Sequence, residues 1–515
     1  MRILFAALHP GYYRNFDSLI EELARRGHDV HLGFEKTDST SAGESLVEGL
    51  MARWPRLTCG RIPSREPDSA TLLAKTRLGL DYLRYLNPIY PPTSFLPARA
   101  KSRTPAGVVR LTDIPLLRSR YARRAIAHVL DAVDRAVPTS PAIDQFLEEV
   151  RPDLVMITPL LGLVGSSQLD LLRSAQARRL RTAVCVYSWD HLTSKALIRD
   201  VPDGLFVWNE AQRKEAIDMH GVPRERIVVT GAQCFDHWFG RGPSRSRSEF
   251  VRHVGLHDDR PYVLWVCSTL LQGGPPEPEL AMRWLRHLRA SANPQIRDAA
   301  VLIRPHPSRM SDWDGVDWRA LGNVALFGHT PIDAASRSDY FDSLYHSAAV
   351  VGITTTAFVD AAVVGRPVMT ICFDEVRHEH EGSLHFQHLL TFAGGLVTVA
   401  RSLEEHERQL VAMIDGPPSD VMERQQAFVR AFVRPHGLDV PATTVMADAL
   451  QRIGASPTTT VAPRPSPLGL FGLRGLKIIA RHRRWKHLLL SERESAHAAE
   501  IEAKRRLRRE EERAL

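Results

Sequence analysis

Three side chains that can bind phosphate follow one apolar stretch in the second half of the chain. In the segment "VLIRPHPSRM", Arg304, His306 and Arg309 come directly after the apolar run, and two prolines stiffen the connection. Guanidinium and imidazole groups placed together at the carboxyl end of a strand can donate several hydrogen bonds to a phosphate. Taken alone, His306 also fits a structural loop histidine. The three residues together predict a phosphate-sized site.

Three consecutive threonines end another apolar stretch of the same half. In "AVVGITTTAFVDAAVVGRPVM", Thr354, Thr355 and Thr356 stand between a strand and a helix of small residues. Hydroxyl and backbone N–H groups at such a junction can bond a phosphate oxygen, or they can only cap the helix. Because this strand and the strand before Arg304 belong to one predicted sheet, we expect a diphosphate between the two segments. Ser268, which ends the strand "PYVLWVCS", is a further candidate on this side.

A dense set of polar side chains follows a strand of the first half, in the segment "VYSWDHLTSKALI". Asp190 in this segment is a candidate acid or base. The alternative is a capped loop, in which Asp190 or Thr193 is the N-cap of a helix. The candidate acceptor contacts stand at the ends of two neighbouring strands and are Trp189, His191, Lys195, Asn209 and Glu210.

The segment "CFDEVRHEHEGSLHFQHL" concentrates histidines and carboxylates after another strand. The HxH spacing of His378 and His380 is found in metal sites, but no helix or strand geometry gathers three ligands here. We expect a lid over the donor edge, in which Asp374 or Glu375 reaches a sugar hydroxyl. We expect no bound metal.

These candidates follow strands that alternate with helices along most of the chain. Apolar runs such as "RILFAAL", "PDLVMI" and "RTAVCVY" are separated by amphipathic stretches. The alternation predicts βαβ units and parallel sheets, in which ligands bind beyond the carboxyl ends of the strands. The predicted fold class is α/β, with two Rossmann-like domains facing a central cleft. The domains are 1–240, with a less regular insertion at about 38–138, and 251–454, joined by a polar linker at 240–250.

The C-terminal segment 455–515 differs from the rest in composition. A linker rich in proline and threonine leads to "LGLFGLRGLKIIARHRRWKHLLL", in which apolar residues alternate with arginines and lysines. A basic amphipathic helix of this kind suits an anionic membrane surface, so we expect 468–490 to contact membrane. The alternative is a solvated charged helix, which is favoured from Glu492 onward.

Composition and charge restrict the classes of function. With 515 residues, of which 44% are hydrophobic and 24% charged, the chain is typical of a globular protein with two domains. Its five cysteines show no CxxC spacing, which argues against disulfides and a metal site. The apolar run at the N-terminus is too short for a signal peptide, and no segment has the roughly 18 uninterrupted apolar residues of a membrane span. We therefore expect a cytoplasmic protein. The net charge of +8 favours an anionic ligand, but the basic segments lack the stacking aromatics of nucleic-acid sites.

The second half resembles the donor domain of the GT-B glycosyltransferase superfamily, and it is most similar to surface-polysaccharide enzymes and CDP-glycerol glycerophosphotransferases. The similarity lies in "RPHP", in "GITTTAFVDAAVVGRPVM" and in "VTGAQCFDHWF", and as an architecture it covers 1–454. The resemblance implies that His306 and the threonines hold the donor phosphates and that Asp360 contacts a sugar or ribose hydroxyl. It also implies that His9, after the first strand, is the base, although an ordinary strand-end histidine is the alternative. The chain lacks a clear glutamate pair at the spacing of retaining members, which favours inversion.

The candidate residues and the resemblance together predict a transferase. It would move a sugar or glycerol phosphate from a nucleotide-sugar or CDP-polyol donor to a cell-surface polysaccharide or lipid-linked acceptor, without a cofactor besides the donor. A nucleotide-sugar 2-epimerase is the alternative enzyme. A non-catalytic nucleotide-sugar-binding protein at the membrane is the second alternative. We expect the protein in the cytoplasm or on the inner face of the plasma membrane, with no nucleic-acid partner.

Overall fold

The computed structural model contains two parallel β-sheets, each covered by helices on both faces. This architecture confirms the predicted α/β fold with two Rossmann-like halves and a helical C-terminal tail. The structure describes residues 1–37, 42–91, 95–160, 166–195, 197–257, 260–269, 275–380, 382–458, 460, 462 and 464–514.

The first sheet has seven parallel strands. They are β1 (Arg2–Ala7), β2 (Asp29–Phe34), β3 (Leu57–Arg61), β4 (Leu154–Thr158), β5 (Arg181–Cys185), β6 (Gly204–Val207) and β7 (Ile227–Val229). Their order is β3-β2-β1-β4-β5-β6-β7. Strand β4 and nearly all of β1 are buried on both faces, which is why they appear in the sequence as continuous apolar runs.

The second sheet has six parallel strands. They are β8 (Tyr262–Val266), β9 (Ala300–Arg304), β10 (Val324–Leu326), β11 (Ala349–Gly352), β12 (Val368–Ile371) and β13 (Thr398–Ala400). Their order is β10-β9-β8-β11-β12-β13, so the strand order reverses at β8. Ligands of open parallel sheets bind at such a reversal, beyond the carboxyl ends of the strands.

Helices cover both faces of the sheets and form the insertion and the tail. The α-helices of the described chain are α1 (Asp17–Arg25), α2 (Ala42–Arg53), α3 (Pro67–Tyr85), α4 (Leu96–Arg103), α5 (Ala106–Asp113), α6 (Arg120–Ala136), α7 (Pro141–Val150), α8 (Gln168–Ala177), α9 (His191–Ser194), α10 (Glu210–His220), α11 (Arg247–His253), α12 (Glu277–Arg289), α13 (Pro294–Arg297), α14 (Ala334–Tyr345), α15 (Ala357–Val363), α16 (Arg377–His380), α17 (Leu384–Thr391), α18 (Leu403–Asp415), α19 (Ser419–Phe432), α20 (Ala442–Ala455), α21 (Pro467–Arg481) and α22 (Glu492–Ala514).

The chain crosses between the two halves twice. The first crossing leads into α11, which begins inside the predicted linker because Ser246 and Glu249 form a capping box. After α19 the chain returns, and Met446 and Leu450 of α20 join the apolar core of the first sheet. A hydrogen bond of 2.9 Å from the backbone N–H of Ala232 to the carbonyl oxygen of Val433 joins the two crossing segments.

A buried network of charged side chains anchors the insertion to the first half. Asp134 of α6 is fully buried and pairs with Arg77 of α3 at 2.9 Å and with Arg173 of α8 at 2.6 Å. Arg77 also pairs with Asp170, and Arg173 pairs with Asp200. Burial alone would raise the pKa of Asp134, but the guanidinium groups of Arg77 and Arg173 hold it well below its usual range.

The tail folds back onto the insertion, where α21 packs along α6. Gly469 and Gly472 lie so close to α6 that an added Cβ would overlap the carbonyl oxygen of Ala132 and the side chain of Val133. Leu473 is buried in the same contact. Among the described residues, no helix combines the length and the apolar composition that crossing a bilayer requires.

Candidate active site

A cavity of about 820 Å³ opens at the carboxyl ends of the two sheets. Its walls include the connections after β8, β9 and β11 of the second half and the connection after β5 of the first half. Ten of the residues singled out in the sequence line it: Trp189, Asp190, Lys195, Ser268, Arg304, His306, Thr354, Thr355, Thr356 and Asp360.

The two segments predicted to share a diphosphate lie on either side of β8. Val266 of β8 is paired in register with Arg304 of β9 on one side and with Gly352 of β11 on the other. Ser268 follows β8 between them, and its backbone N–H donates to Oε2 of the Glu277 carboxyl group at 2.7 Å. The sheet therefore places both segments at the same edge, next to the cavity.

Arg304 places a buried guanidinium at the cavity wall. Its Nη2 donates to the carbonyl oxygen of His329 at 2.7 Å, and its Cζ lies 4.5 Å from the ring centroid of Tyr340. Within the described part of the chain, its Nη1 has no hydrogen-bond partner. Burial lowers the pKa of Arg304, but a guanidinium stays charged near neutral pH. A buried cation with an unpaired N–H favours an anionic ligand.

His306 is a hydrogen-bond donor and not a cation at neutral pH. Its Nδ1 accepts hydrogen bonds from the backbone N–H and the hydroxyl of Ser308, at 3.2 and 2.9 Å. The neutral ring therefore carries its proton on Nε2. Burial, together with the charges of Arg14 and Arg309, lowers the pKa of His306. Of the three cations expected from the sequence at this strand end, only Arg304 is a cation at the cavity wall.

The threonine junction precedes the short helix α15. The Oγ1 of Thr356 accepts a hydrogen bond of 3.0 Å from Nε1 of Trp189, which belongs to the first half. No described residue accepts a hydrogen bond from the backbone N–H of Thr355 or Thr356. The junction therefore offers hydroxyl and N–H groups to a ligand and also joins the two halves.

Asp360, expected to contact a donor hydroxyl, is held by two aromatic side chains. Its Oδ1 accepts from Nε1 of Trp238 and its Oδ2 from the hydroxyl of Tyr340, both at 2.7 Å. Burial raises the pKa of Asp360 to about 6. Each carboxylate oxygen keeps a second lone pair, so a ligand hydroxyl can still donate to it.

Asp190 supplies an ionised carboxylate from the first half. Its Oδ2 lies 3.1 Å from Nζ of Lys195 and accepts a hydrogen bond of 2.7 Å from the Ser194 hydroxyl. Burial alone would raise the pKa of Asp190, but the charges of Lys195 and His385 and the nearby hydroxyls hold it well below its usual range. The carboxylate is therefore ionised and can accept a hydrogen bond from a ligand hydroxyl.

Three residues expected on the donor side do not line the cavity. Arg309 lies in the 3-10 helix Pro307–Trp313, where a kink leaves its side chain exposed, 3.9 Å from Asp312. Asp374 and Glu375 are exposed in the next connection, and Glu375 pairs with Arg283 at 2.7 Å. The connection after β9 follows the cavity wall as far as Ser308, and Arg309 lies beyond it.

Three residues expected on the acceptor side likewise do not line the cavity and make structural contacts elsewhere. His191 is buried, and its Nδ1 accepts from the backbone N–H of Tyr187 at 3.2 Å, while burial lowers its pKa to about 4. Asn209 is the buried N-cap of α10. Glu210 pairs with Arg213 on the surface at 2.7 Å. These contacts are structural.

His9, the expected base, is not among the residues that line the cavity. A 3-10 helix starts at Pro10 directly after the strand, and the ring of His9 packs on Tyr12 with centroids 4.5 Å apart. The same helix carries Arg14 to the cavity, and Asn15 lies beside it. The connection after β1 therefore brings Arg14 and Asn15 to the cavity instead of His9.

Several cavity residues are not among the expected catalytic, donor-side or acceptor-side residues. They come from the insertion, from α14 and from the histidine-rich segment, and they include Arg99, Arg337, Tyr340, His378, Glu379 and His385. Glu379, and not Asp374 or Glu375, is the acid of the histidine-rich segment that reaches the cavity. The described residues contain no group of three or more histidine, cysteine, aspartate or glutamate side chains that could hold a metal.

Solved structures are similar to this chain in fold. The UDP co-structure of S. aureus MnaA is 10% identical, with a TM-score of 0.51, and the match covers 90% of this chain and 99% of that one. The chain has the GT-B fold. A UDP-GlcNAc 2-epimerase from Neisseria meningitidis (11% identity, TM-score 0.49, 88% and 100% covered) and a Rickettsia africae glycosyltransferase (8% identity, TM-score 0.48, 88% and 97% covered) are also similar to it. No family model and no curated protein matches the sequence. At these identities the likeness establishes the GT-B fold, and the activity has to be argued from the site.

Proposed function

We propose that this GT-B protein transfers a sugar or glycerol phosphate from a nucleotide-diphosphate donor to a cell-surface polysaccharide or lipid-linked acceptor. The observation that carries the proposal is the cavity in which Arg304 and His306 lie on one side of β8 and Thr354–Thr356 on the other. Their N–H and hydroxyl groups would bond the diphosphate oxygens and stabilise the negative charge that develops on the departing nucleotide. The donor is a substrate, and no separate cofactor takes part.

Asp190 is the proposed base. An acceptor hydroxyl attacks the transferred group, and its proton passes to the carboxylate. Sugar transfer breaks the bond between the sugar and the diphosphate, and the nucleoside diphosphate leaves. Glycerol phosphate transfer breaks the bond between the two phosphates, and the nucleoside monophosphate leaves. Asp190 is ionised and lines the cavity from the half opposite the proposed diphosphate site. His9 does not line it. A direct displacement of this kind inverts the configuration of a transferred sugar.

The donor site is tested by thermal shift with a panel of nucleoside diphosphates and their sugar and glycerol conjugates. A panel member should raise the melting temperature of the wild type, and His306→Ala and Thr355→Val should reduce that rise. Arg309→Ala is the matched control, because Arg309 follows the same strand but does not line the cavity. Absence of any shift, or an equal loss in Arg309→Ala, would contradict the donor assignment.

Turnover distinguishes the transferase from a nucleotide-sugar 2-epimerase. A transferase releases its leaving nucleotide only when an acceptor is present: the nucleoside diphosphate after sugar transfer, or the nucleoside monophosphate after glycerol phosphate transfer. An epimerase interconverts the nucleotide sugar without an acceptor. Asp190→Asn should lower transfer by about 10²-fold or more, the usual range for losing a general base, and should keep the donor-induced thermal shift. Epimerisation without an acceptor would refute the transferase.

The proposed acceptor is met at the inner face of the plasma membrane, where 468–490 would contact anionic lipid. Phe471, Ile478 and Trp485 of this segment are exposed at 78, 59 and 47%. Exposed apolar side chains interleaved with arginines are typical of helices that lie in a membrane interface.

A further inference from the structure

Exposed apolar side chains are concentrated on the insertion and the tail. Of the fourteen large hydrophobic side chains exposed in the described residues, twelve belong to 38–138 or 455–515. Leu116, Phe471 and Tyr121 are the most exposed, at 85, 78 and 65%. Single exposed apolar residues are ordinary on a globular surface, but their concentration on one part of it marks an interaction site.

The insertion and the tail form one packed unit. Helix α21 packs along α6, the 3-10 helix Lys486–Leu489 packs on α5, and the 3-10 helix Pro115–Leu117 contacts both α5 and α6. The backbone N–H of Ala106 donates to the carbonyl oxygen of Leu490 at 2.9 Å. Pro105 and Ser491 form an antiparallel bridge. The exposed residues of the two segments therefore belong to one continuous assembly.

The same unit carries several basic side chains that have no carboxylate partner among the described residues. On α21, Phe471, Arg474, Ile478 and Arg481 recur at helical spacing and are all exposed, so apolar and basic side chains share one face. The described ion pairs include no carboxylate partner for a set of basic residues of this unit: Arg118, Arg120, Arg124, Arg474, Lys477 and Arg481.

We infer that α5, α6, α21 and the two 3-10 helices form one composite surface that docks on a bilayer of anionic phospholipid. The inference deepens the membrane contact within the proposed function, because half of the surface comes from the insertion and not from the tail. Charge complementarity selects the partner: unpaired guanidinium groups attract anionic headgroups, and the apolar side chains between them enter the acyl boundary. The close glycine packing of α21 on α6 holds the two parts in register.

Vesicle sedimentation with two matched double variants tests the composite surface. The insertion pair is Leu116→Ser with Tyr121→Ser, and the tail pair is Phe471→Ser with Ile478→Ser. All four side chains are exposed, so the variants should fold, and thermal melting checks that they do. The control is Met310→Ser with Val440→Ser, which removes two exposed apolar side chains outside the unit.

The wild type should bind vesicles that contain phosphatidylglycerol, and binding should weaken with added salt and on vesicles of phosphatidylcholine alone. Each test pair should lower the affinity about tenfold or more, because two apolar side chains no longer enter the lipid. The control pair should bind like the wild type.

Three outcomes would overturn the inference: no binding, equal binding to both kinds of vesicle, or a loss confined to the tail pair. The assay contains no nucleotide, so a failed donor assignment and a failed docking surface are told apart.

Discussion

Replacing Asp134 with asparagine tests how the insertion is held on the first half. Asparagine keeps the shape of the side chain but removes the charge that Arg77 and Arg173 share at 2.9 and 2.6 Å. Breaking a buried ion pair costs about 3–5 kcal/mol. Because Arg77 keeps Asp170 and Arg173 keeps Asp200, we expect the lower end, about 3 kcal/mol.

The loss should also depend on pH in a defined direction. The folded-state pKa of Asp134 is depressed, so its stabilising effect is present above the unfolded value of about 4 and is lost as pH falls further. The difference in the free energy of unfolding between wild type and Asp134→Asn should therefore be largest near neutral pH and become smaller in acid.

Urea unfolding, combined with hydrogen exchange of the α6 amides, measures this loss. The matched control is Asp131→Asn on the same helix, where the carboxylate pairs with Arg135 at 2.7 Å and is 33% exposed. A partly exposed pair of this kind contributes about 0–1 kcal/mol. If Asp134→Asn were no more destabilising than Asp131→Asn, the network would not anchor the insertion.

Two further variants probe the packing of the tail and the buried carboxyl group of Glu277 beside Ser268. Gly469→Ala should speed hydrogen exchange in α21, because the added methyl group overlaps the carbonyl oxygen of Ala132. The control is Gly475→Ala, whose added methyl group meets no atom within 4 Å and should leave the exchange unchanged. Equal exchange in the two variants would contradict the packing of α21 on α6. Burial raises the pKa of Glu277 to about 8, so the folded protein holds this carboxyl protonated and its stability falls as pH rises from about 4.5 to 8. Glu277→Gln should flatten that part of the melting-temperature profile, and identical profiles would show that Glu277 does not titrate there.

The strands, and the sheet edge at which the site lies, could be predicted because the strands of a parallel sheet are recognisable in the sequence. Strands buried on both faces appear as uninterrupted apolar runs, and residues after neighbouring strands meet at one edge. Thus Arg304 and Thr354, fifty positions apart in the sequence, could be placed in one cavity. What periodicity does not specify is where a side chain points once the strand has ended. The 3-10 helices after β1 and β9 turn His9 and Arg309 away and bring Arg14 forward.

The insertion and the tail were harder to predict for a different reason. In the sequence, Arg77, Asp134 and Arg173 look like solvent-exposed charges, and only the tertiary packing makes them a buried network. The sequence predicts an amphipathic, basic tail helix, and the spacing of Gly469 and Gly472 indicates the face on which it packs. Small residues three positions apart lie on one face of a helix and let another helix approach closely.

Helix α4 links the proposed acceptor site to the proposed docking surface. Leu96 and Arg99 line the cavity, and Arg99 donates to the carbonyl oxygen of Ser194 at 2.6 Å, beside the Asp190 carboxylate. Two residues after the helix, Pro105 forms the bridge with Ser491 of the tail. Eight helical residues span about 12 Å, so one short rigid element separates the two sites. The proposed phosphate-binding residues Arg304, His306 and Thr354–Thr356 lie in or after strands of the second sheet. Membrane docking should therefore change the affinity for the acceptor while leaving the donor affinity unchanged.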